Sequence, residues 1–355
     1  MDKREAVIRS VQFEEPDWVP YEIGISLRYL RAHYSDSVID TLRDSLLMLG
    51  AVQHDDAMIA QDLFAQASPT PNPPPTPYRP LEEGEWVDEW GTIWTNADFP
   101  RVSGHPLAES WGLLDEYTLP DPLAPGRYEE ARRNLQRKPD RYRRGSVWFT
   151  LFERLWMLRG FDNALMDPYL HPDRFIQLRD LIIDFNLASI RRQLALGVDG
   201  IYISDDWGTQ QNLLIKPSDW RIWYKPQYER MFDAIHQGGA HVWMHLCGNV
   251  VSILPDLIEV GLDVLNPIQP QAMDVDALAA EFGGQICFFG GADVQGTLPH
   301  GTPEDVRQEV QHLIDIFGRY SGGYIGCTSH SILPDTPPEN IIALFKAFRD
   351  CTGFG

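Results

Sequence analysis

"HVWMHLCG" (241–248) decides how the second half of the chain folds. Its apolar residues run almost without interruption and do not alternate with polar ones. A strand of that kind is buried on both faces, as in a parallel sheet covered by helices. Four similar runs surround it: "DGIYISDD" (199–206), "LDVLNPIQ" (262–269), "QICFFGGAD" (285–293) and "GGYIGCTSH" (322–330). Amphipathic stretches separate them, among them "VSILPDLIEVG" and "TPEDVRQEVQHLIDIFGRY". Glycines in "QGG", "EVG" and "FGG" close these segments, where a helix end favours a left-handed residue. The pattern is strand, helix, strand, repeated.

The first half is less regular. "VPYEIGI" (19–25), "DAMIAQ" (56–61) and "GSVWFTLF" (145–152) read as strands, and "RFIQLRDLIIDFNLASIRRQLALG" as a long amphipathic helix. The total approaches eight strands, which predicts an α/β fold, a (β/α)8 TIM barrel, as a single domain over 1–355. Its 355 residues exceed the roughly 250 of a plain barrel, so an insertion is expected. The segment 66–96 supplies it. "SPTPNPPPTPYRP" (68–80) is too rich in proline for a helix or central strand, and "EWVDEWGTIWT" (85–95) reads as an aromatic hairpin. A doubly wound open sheet is the alternative fold, but no glycine-rich phosphate loop follows the first strand.

The net charge of −21 disfavours nucleic acid and anionic lipid surfaces as partners. No apolar run is long enough to span a bilayer, and the N-terminus has no apolar h-region. A cytoplasmic protein is expected, with oligomeric state left open, a homodimer included. Four cysteines in a chain of this length are not a disulfide framework. Cys287 and Cys351 read as buried or incidental thiols. Cys247 and Cys327 each follow an apolar run and stand among polar residues.

A parallel barrel carries its active site at the C-terminal ends of its strands. The strands here end in Ser204, Asp205, Asp206 and Trp207; in His245 and Cys247; in Asn266 and Gln269; in Asp293; and in Cys327 and His330. Wet strand ends explain some of this polarity. They explain the His/Cys combination poorly, because neutral imidazole and thiolate are preferred zinc ligands. Residues i and i+2 of a strand share a face, so His245 and Cys247 can act together. A third ligand, Cys327 or His330, leaves one coordination position open, as in a catalytic site. Asp205 and Asp206 are candidate acid/base groups, or N-caps of a helix starting at "GTQQNLL". Trp207, Trp148 and Trp243 are candidate walls for an aromatic pocket, with core packing the plainer role for Trp243.

At these residues the chain resembles the uroporphyrinogen decarboxylase superfamily. That group includes the decarboxylase and the zinc-dependent cobamide methyltransferases acting with methanol, methylamine and coenzyme M. "VQFEEPDWVP" resembles its opening, "ISDDWG" its fourth-strand end, "GGAD" its "GN-x-D" turn and "HSILPDTPPENI" (330–341) its closing segment. The resemblance implies the same barrel. The methyltransferases carry H-x-C-G at the fifth strand and a cysteine before a closing "P-x-T-P". That makes His245 and Cys247 zinc ligands, with His330 at the matching closing position and Cys327 three residues earlier. A carboxylate among Asp205, Asp206 and Glu153 is a candidate fourth ligand. The decarboxylase pattern is only partly kept: Arg28 in "LRYL", Asp56 and His330 match it, while Gly24 and the pair Glu153–Arg154 replace its second arginine and its tyrosine.

The implied function is zinc-dependent methyl transfer between a small methyl donor or acceptor, for example a methoxylated compound undergoing O-demethylation, and a corrinoid (cobalamin). The corrinoid is expected on a partner protein, because no D-x-H-x-x-G segment stands in this chain. The alternative is a metal-free decarboxylase in which Asp56 and His330 act on a pyrrolic intermediate and Arg28 holds a carboxylate. Glu153, Trp207, Asn266, Gln269 and Asp293 complete the expected substrate-contacting set. A barrel that only binds a ligand or partner is least favoured by these convergent reactive groups.

Overall fold

A computed structural model describes residues 1–54, 57–95 and 100–351. Its strands are β1 (Ile23–Ser26), β2 (Val52–His54), β3 (Ala57–Ala60), β4 (Phe64–Gln66), β5 (Glu85–Val87), β6 (Ile93–Thr95), β7 (Arg101–Gly104), β8 (Tyr142–Val147), β9 (Gly200–Ser204), β10 (His241–His245), β11 (Val264–Asn266), β12 (Cys287–Ala292) and β13 (Tyr324–Thr328). Seven of them form one parallel sheet in the order β13-β12-β11-β10-β9-β8-β4. The segment 20–22 supplies the eighth staff. It runs parallel to β13 through the Tyr21–Gly326 bridge, with Glu22 N donating to Gly326 O and Gly326 N to Pro20 O. On its other side, Leu63 N donates to the Glu22 carboxylate at 2.8 Å. The sheet thus closes, and the chain is a (β/α)8 barrel.

Strand alternation divides the core in two. Val242 and Met244 of β10, with Ile201 and Ile203 of β9, face outward into the layer shared with the helices. Tyr202, Trp243, Phe64, Tyr142, Phe289 and Ile325 face inward and fill the barrel. The helix Lys3–Gln12 adds Val7 and Val11 to that interior cluster from below. Gly200 is required here: a Cβ on it would meet Tyr142 Oη at 2.4 Å and Trp243 Nε1 at 2.8 Å.

Three boundaries differ from the sequence reading. Ala57–Ala60 pairs antiparallel with β1 and β2 outside the barrel, and the second staff is Phe64–Gln66, too short to show a pattern. The stretch 19–25 divides between the barrel and that small sheet. In "GSVWFTLF" the strand stops at Val147 and a helix, Phe152–Arg159, begins. Between β4 and β8 the proline-rich segment has no regular structure, and β5, β6 and β7 form a three-stranded antiparallel sheet. Among the described residues, no helix is long and apolar enough to cross a membrane.

Glu22 is the tie between the first and second staves, so Glu22→Ala leaves the Leu63 amide without its acceptor. A loss of about 1–3 kcal/mol in chemical denaturation is expected, with Glu22→Gln, which keeps an acceptor, losing less.

Candidate metal centre at the barrel mouth

His245 is the last residue of β10, and its inward face follows from Trp243 two positions earlier. In register it lies beside Ser204 of β9 and Asn266 of β11. Asn266, itself buried, fixes the imidazole. Its Oδ1 stands 2.8 Å from His245 Nδ1, and its Nδ2 donates to Phe289 O at 2.8 Å. Tyr202 Oη donates to the same Oδ1 and lies 3.2 Å from His245 Nδ1. With Nδ1–H turned to Asn266, Nε2 keeps its lone pair for a ligand on the open side.

Cys247 lies beyond the strand, in a turn. Its Sγ is 3.2 Å from His245 Nε2, and its backbone N donates to Asp206 Oδ1 at 2.8 Å. The glycine of "HLCG" explains how the turn is held. Gly248 has φ +82°, and a Cβ there would meet the Gly208 carbonyl carbon at 2.3 Å. Only two glycines let the loops after β9 and β10 touch at this distance. Gly208 N donates to Cys247 O at 3.0 Å, and Gly248 N to Gln269 Oε1 at 2.6 Å. Gln269 therefore positions the Cys247 turn.

His330, two residues past β13, completes a trio. The candidate ligand atoms of His245, Cys247 and His330 all lie within 4.8 Å of one another. Zinc bonds of about 2.0–2.3 Å in a tetrahedron place ligand atoms roughly 3.3–3.8 Å apart, so a small contraction suffices. Burial raises the Cys247 thiol pKa, as does the Asp206 charge. Burial lowers the His330 pKa, and the neighbouring His245 lowers it further. The donor set, two imidazoles and one thiol with one imidazole buttressed from behind, fits zinc.

Cys327, the other candidate, is not in this trio. It lies within β13 and packs with the interior cluster of Tyr202 and Phe289. Burial pushes its thiol up to about 12, as does the Glu22 charge. The period-2 alternation that turns Cys327 inward leaves it inside the barrel, while His330 follows the strand end.

Other expected site residues have structural roles. Asp205 is fully buried and caps a helix, though not one starting at "GTQQNLL", where none forms. Its carboxylate accepts from Phe152 N at 3.0 Å and Glu153 N at 2.7 Å, and from Tyr228 Oη. It thus holds the N-terminus of the helix Phe152–Arg159 and is not placed as an acid/base group. Burial still pushes its carboxyl up to about 6, against those hydrogen bonds. Trp207 is fully buried, stacked on Phe152 with centroids 4.3 Å apart, and donates to Tyr228 Oη at 2.6 Å. It is core, and so is Trp243, also fully buried. Asp293 accepts from Gln271 Nε2 and Gln295 N, and so orders its own turn. Arg28 is exposed on the turn Leu27–Leu30, and Asp56 lies outside the described residues.

Asp206 and Glu153 stay at the mouth. Asp206 Oδ1 is 3.9 Å from His245 Nε2. Glu153 is buried, accepts from Ser204 Oγ at 2.7 Å, and has its carboxyl raised by burial and by the charges of Asp206 and Asp205. Two residues escaped the sequence reading. Tyr202 is inward by alternation with Ser204, a signal present once the strand is assigned. Arg144 has its guanidinium 3.7 Å from the Phe64 ring centroid and 4.8 Å from that of Tyr202, with Nε and Nη1 lacking a hydrogen-bond partner among the described residues; no motif marks it.

A parallel barrel with reactive groups converging at its C-terminal mouth is the architecture of an enzyme. The model of the uroporphyrinogen decarboxylase (URO-D) family matches residues 149–351, and the chain belongs to that family. A uroporphyrinogen decarboxylase of Chlorobaculum tepidum is 25% identical over 212 residues, 58% of this chain and 58% of that protein. One from Thermus thermophilus is 29% identical over 159 residues, 43% of this chain and 41% of its own length. The matched part is thus 58% or less of these relatives. In structure, a methyltransferase from Methanosarcina mazei superposes with a TM-score of 0.67 over 99% of both chains at 17% identity, which reflects a shared fold.

The raised pKa of Asp205 gives a pH signature. Its contribution to stability is greatest below the unfolded value, near 4, and is lost as pH rises through about 6. Against Asp205→Asn, which cannot ionise, the native protein should lose relative stability between pH 4 and 7 in urea denaturation. A gap that is constant over this range excludes the assignment.

Proposed function

We propose that this protein is a zinc-dependent methyltransferase that moves a methyl group between a small substrate and a corrinoid carried by a partner protein. The convergence of His245, Cys247 and His330 ligand atoms within 4.8 Å supports this most directly. Those three residues would hold the ion, with Asp206 as the nearest carboxylate for a fourth position. When bound, zinc acts as a Lewis acid on the substrate heteroatom that carries or receives the methyl group.

The chain's own residues do the rest. Asn266 and Tyr202 set the His245 tautomer and ring orientation. The Gly208–Gly248 contact and Gln269 hold the Cys247 turn. When the methyl group leaves the substrate, its heteroatom retains the bonding electron pair and takes up a proton. Glu153, whose carboxyl burial raises, accepts from Ser204 at this mouth and is the carboxyl placed to exchange that proton.

A metal-free decarboxylase is the second reading, suggested by the names of the relatives. Arg144 favours it: a buried guanidinium with two free N–H groups suits a carboxylate. Arg28 does not, because it is exposed.

Elemental mass spectrometry of protein purified without chelator tests the first reading. About one zinc per chain is expected. His245→Ala, Cys247→Ser and His330→Ala should lose it, Asn266→Ala should weaken binding about 10–100-fold, and Cys327→Ser should retain it. A folded, metal-free native protein that takes up no added zinc refutes the reading.

A further inference from the structure

The inserted segment builds a second feature beside the mouth. A cavity of about 390 Å3 opens between the proline-rich segment, the β5–β6 hairpin and the end of β8. Aromatic rings stand on several of its sides. Trp86 and Trp94 stack with centroids 5.6 Å apart and planes within 10°, and Trp94 meets Phe149 at 5.7 Å. On another side, Trp90 packs edge-on to Phe185 at 4.6 Å. A cavity of about 150 Å3 already takes a benzene ring, so this one has room for a substituted ring.

Its polar groups are fixed and nearly all paired. Asp88 accepts from Trp90 N, Thr92 N and Trp94 Nε1 at 2.9–3.1 Å, which pins the hairpin. Glu89 and Arg127 form a bidentate pair at 2.6 and 2.9 Å, both largely buried. Arg154 is held least tightly: it is 6% exposed, touches Asp88 only at 3.4 Å, and among the described residues its Nε, like that of Arg127, is buried without a partner. Its guanidinium lies 4.6 Å from the Trp90 ring centroid and 5.5 Å from that of Phe149. Asp88, Glu89, Arg127 and Arg154 balance to zero charge. An added anion would be uncompensated beside this balanced set, whereas a neutral oxygen acceptor can take a guanidinium N–H whose present bond to Asp88 is long.

We propose that this cavity binds a neutral aromatic ring bearing an ether or carbonyl oxygen, with the ring against the tryptophans and the oxygen accepting from Arg154. Trp148 connects this site to the metal centre. It lines the cavity, and its ring centroid is 6.2 Å from that of His245. The link to catalysis rests on the methyl-transfer reading, in which the bound ring belongs to the methyl donor; the binding itself does not.

Isothermal titration of the chelator-treated protein with four probes tests the proposal. Anisole should bind about tenfold more tightly than toluene, which lacks the oxygen, and more tightly than methoxycyclohexane, which lacks the ring. Benzoate should bind more weakly than anisole. Arg154→Met should abolish the preference for anisole over toluene. Trp86→Ala, which strips a ring from the hairpin wall and leaves the barrel untouched, should weaken binding of anisole and toluene alike. His245→Ala should leave anisole affinity unchanged, so loss of the metal reading leaves this one standing. Anisole affinity unaltered by Trp86→Ala, an anisole preference that survives Arg154→Met, or anisole binding lost in His245→Ala overturns it. Should Arg154→Met fail to fold, as judged by its thermal transition, the Trp86→Ala and His245→Ala titrations and the anisole-over-toluene preference of the native protein decide alone.

Discussion

The parallel register of β9, β10 and β11 sets Ser204, His245 and Asn266 side by side, and the centre depends on it. Side chains alternate with period 2, so a slip of one residue would turn His245 out toward the helices and Met244 in. Register is protected because each inward position is matched by an outward one in a packed layer. Trp243 fills the barrel while Val242 and Met244 fill the helix interface. Orientation of a ligand-bearing side chain is thus paid for by the hydrophobic core beneath it.

Two kinds of contact then refine the geometry. Buried polar partners fix the direction of a ring: Asn266 holds His245 Nδ1 and is itself held by Phe289 O. Close backbone approach fixes the position of a turn: Gly208 against Gly248 admits no side chain at either place. Asp205 works at longer range by capping the helix Phe152–Arg159, and that cap sets where Glu153 enters the mouth. Most polar residues near this centre therefore act as supports, which is typical where a few reactive groups need a rigid frame.

Much of the barrel was legible because near-continuous apolar strands alternate with amphipathic helices from 199 onward. The first half was harder for a physical reason. Phe64–Gln66 has three residues, too few for a period, and its neighbour Ala57–Ala60 has a stronger strand composition yet pairs elsewhere. In the centre, His245 and Cys247 were legible as a pair from their spacing. Trp207 misled because an aromatic residue at a strand end looks the same in sequence whether it faces a pocket or the core. Asp205 was legible as a cap in kind, but its helix lies some fifty residues earlier in the chain and not directly after it.

The sequence by itself determined the class of fold, the family, and the residues able to bind a metal, because these depend on periodicity, residue chemistry and local motifs. Only the tertiary structure showed that His330, and not Cys327, is brought to the His245–Cys247 turn, since the two are equally suitable as donors in the sequence and their placement turns on the curvature of the barrel. It alone joined Tyr202 and Asn266 to that site, and it alone gathered Trp86, Trp90, Trp94 and Arg154 around one cavity. Such convergence comes from packing between segments far apart in the chain, and no local pattern encodes it.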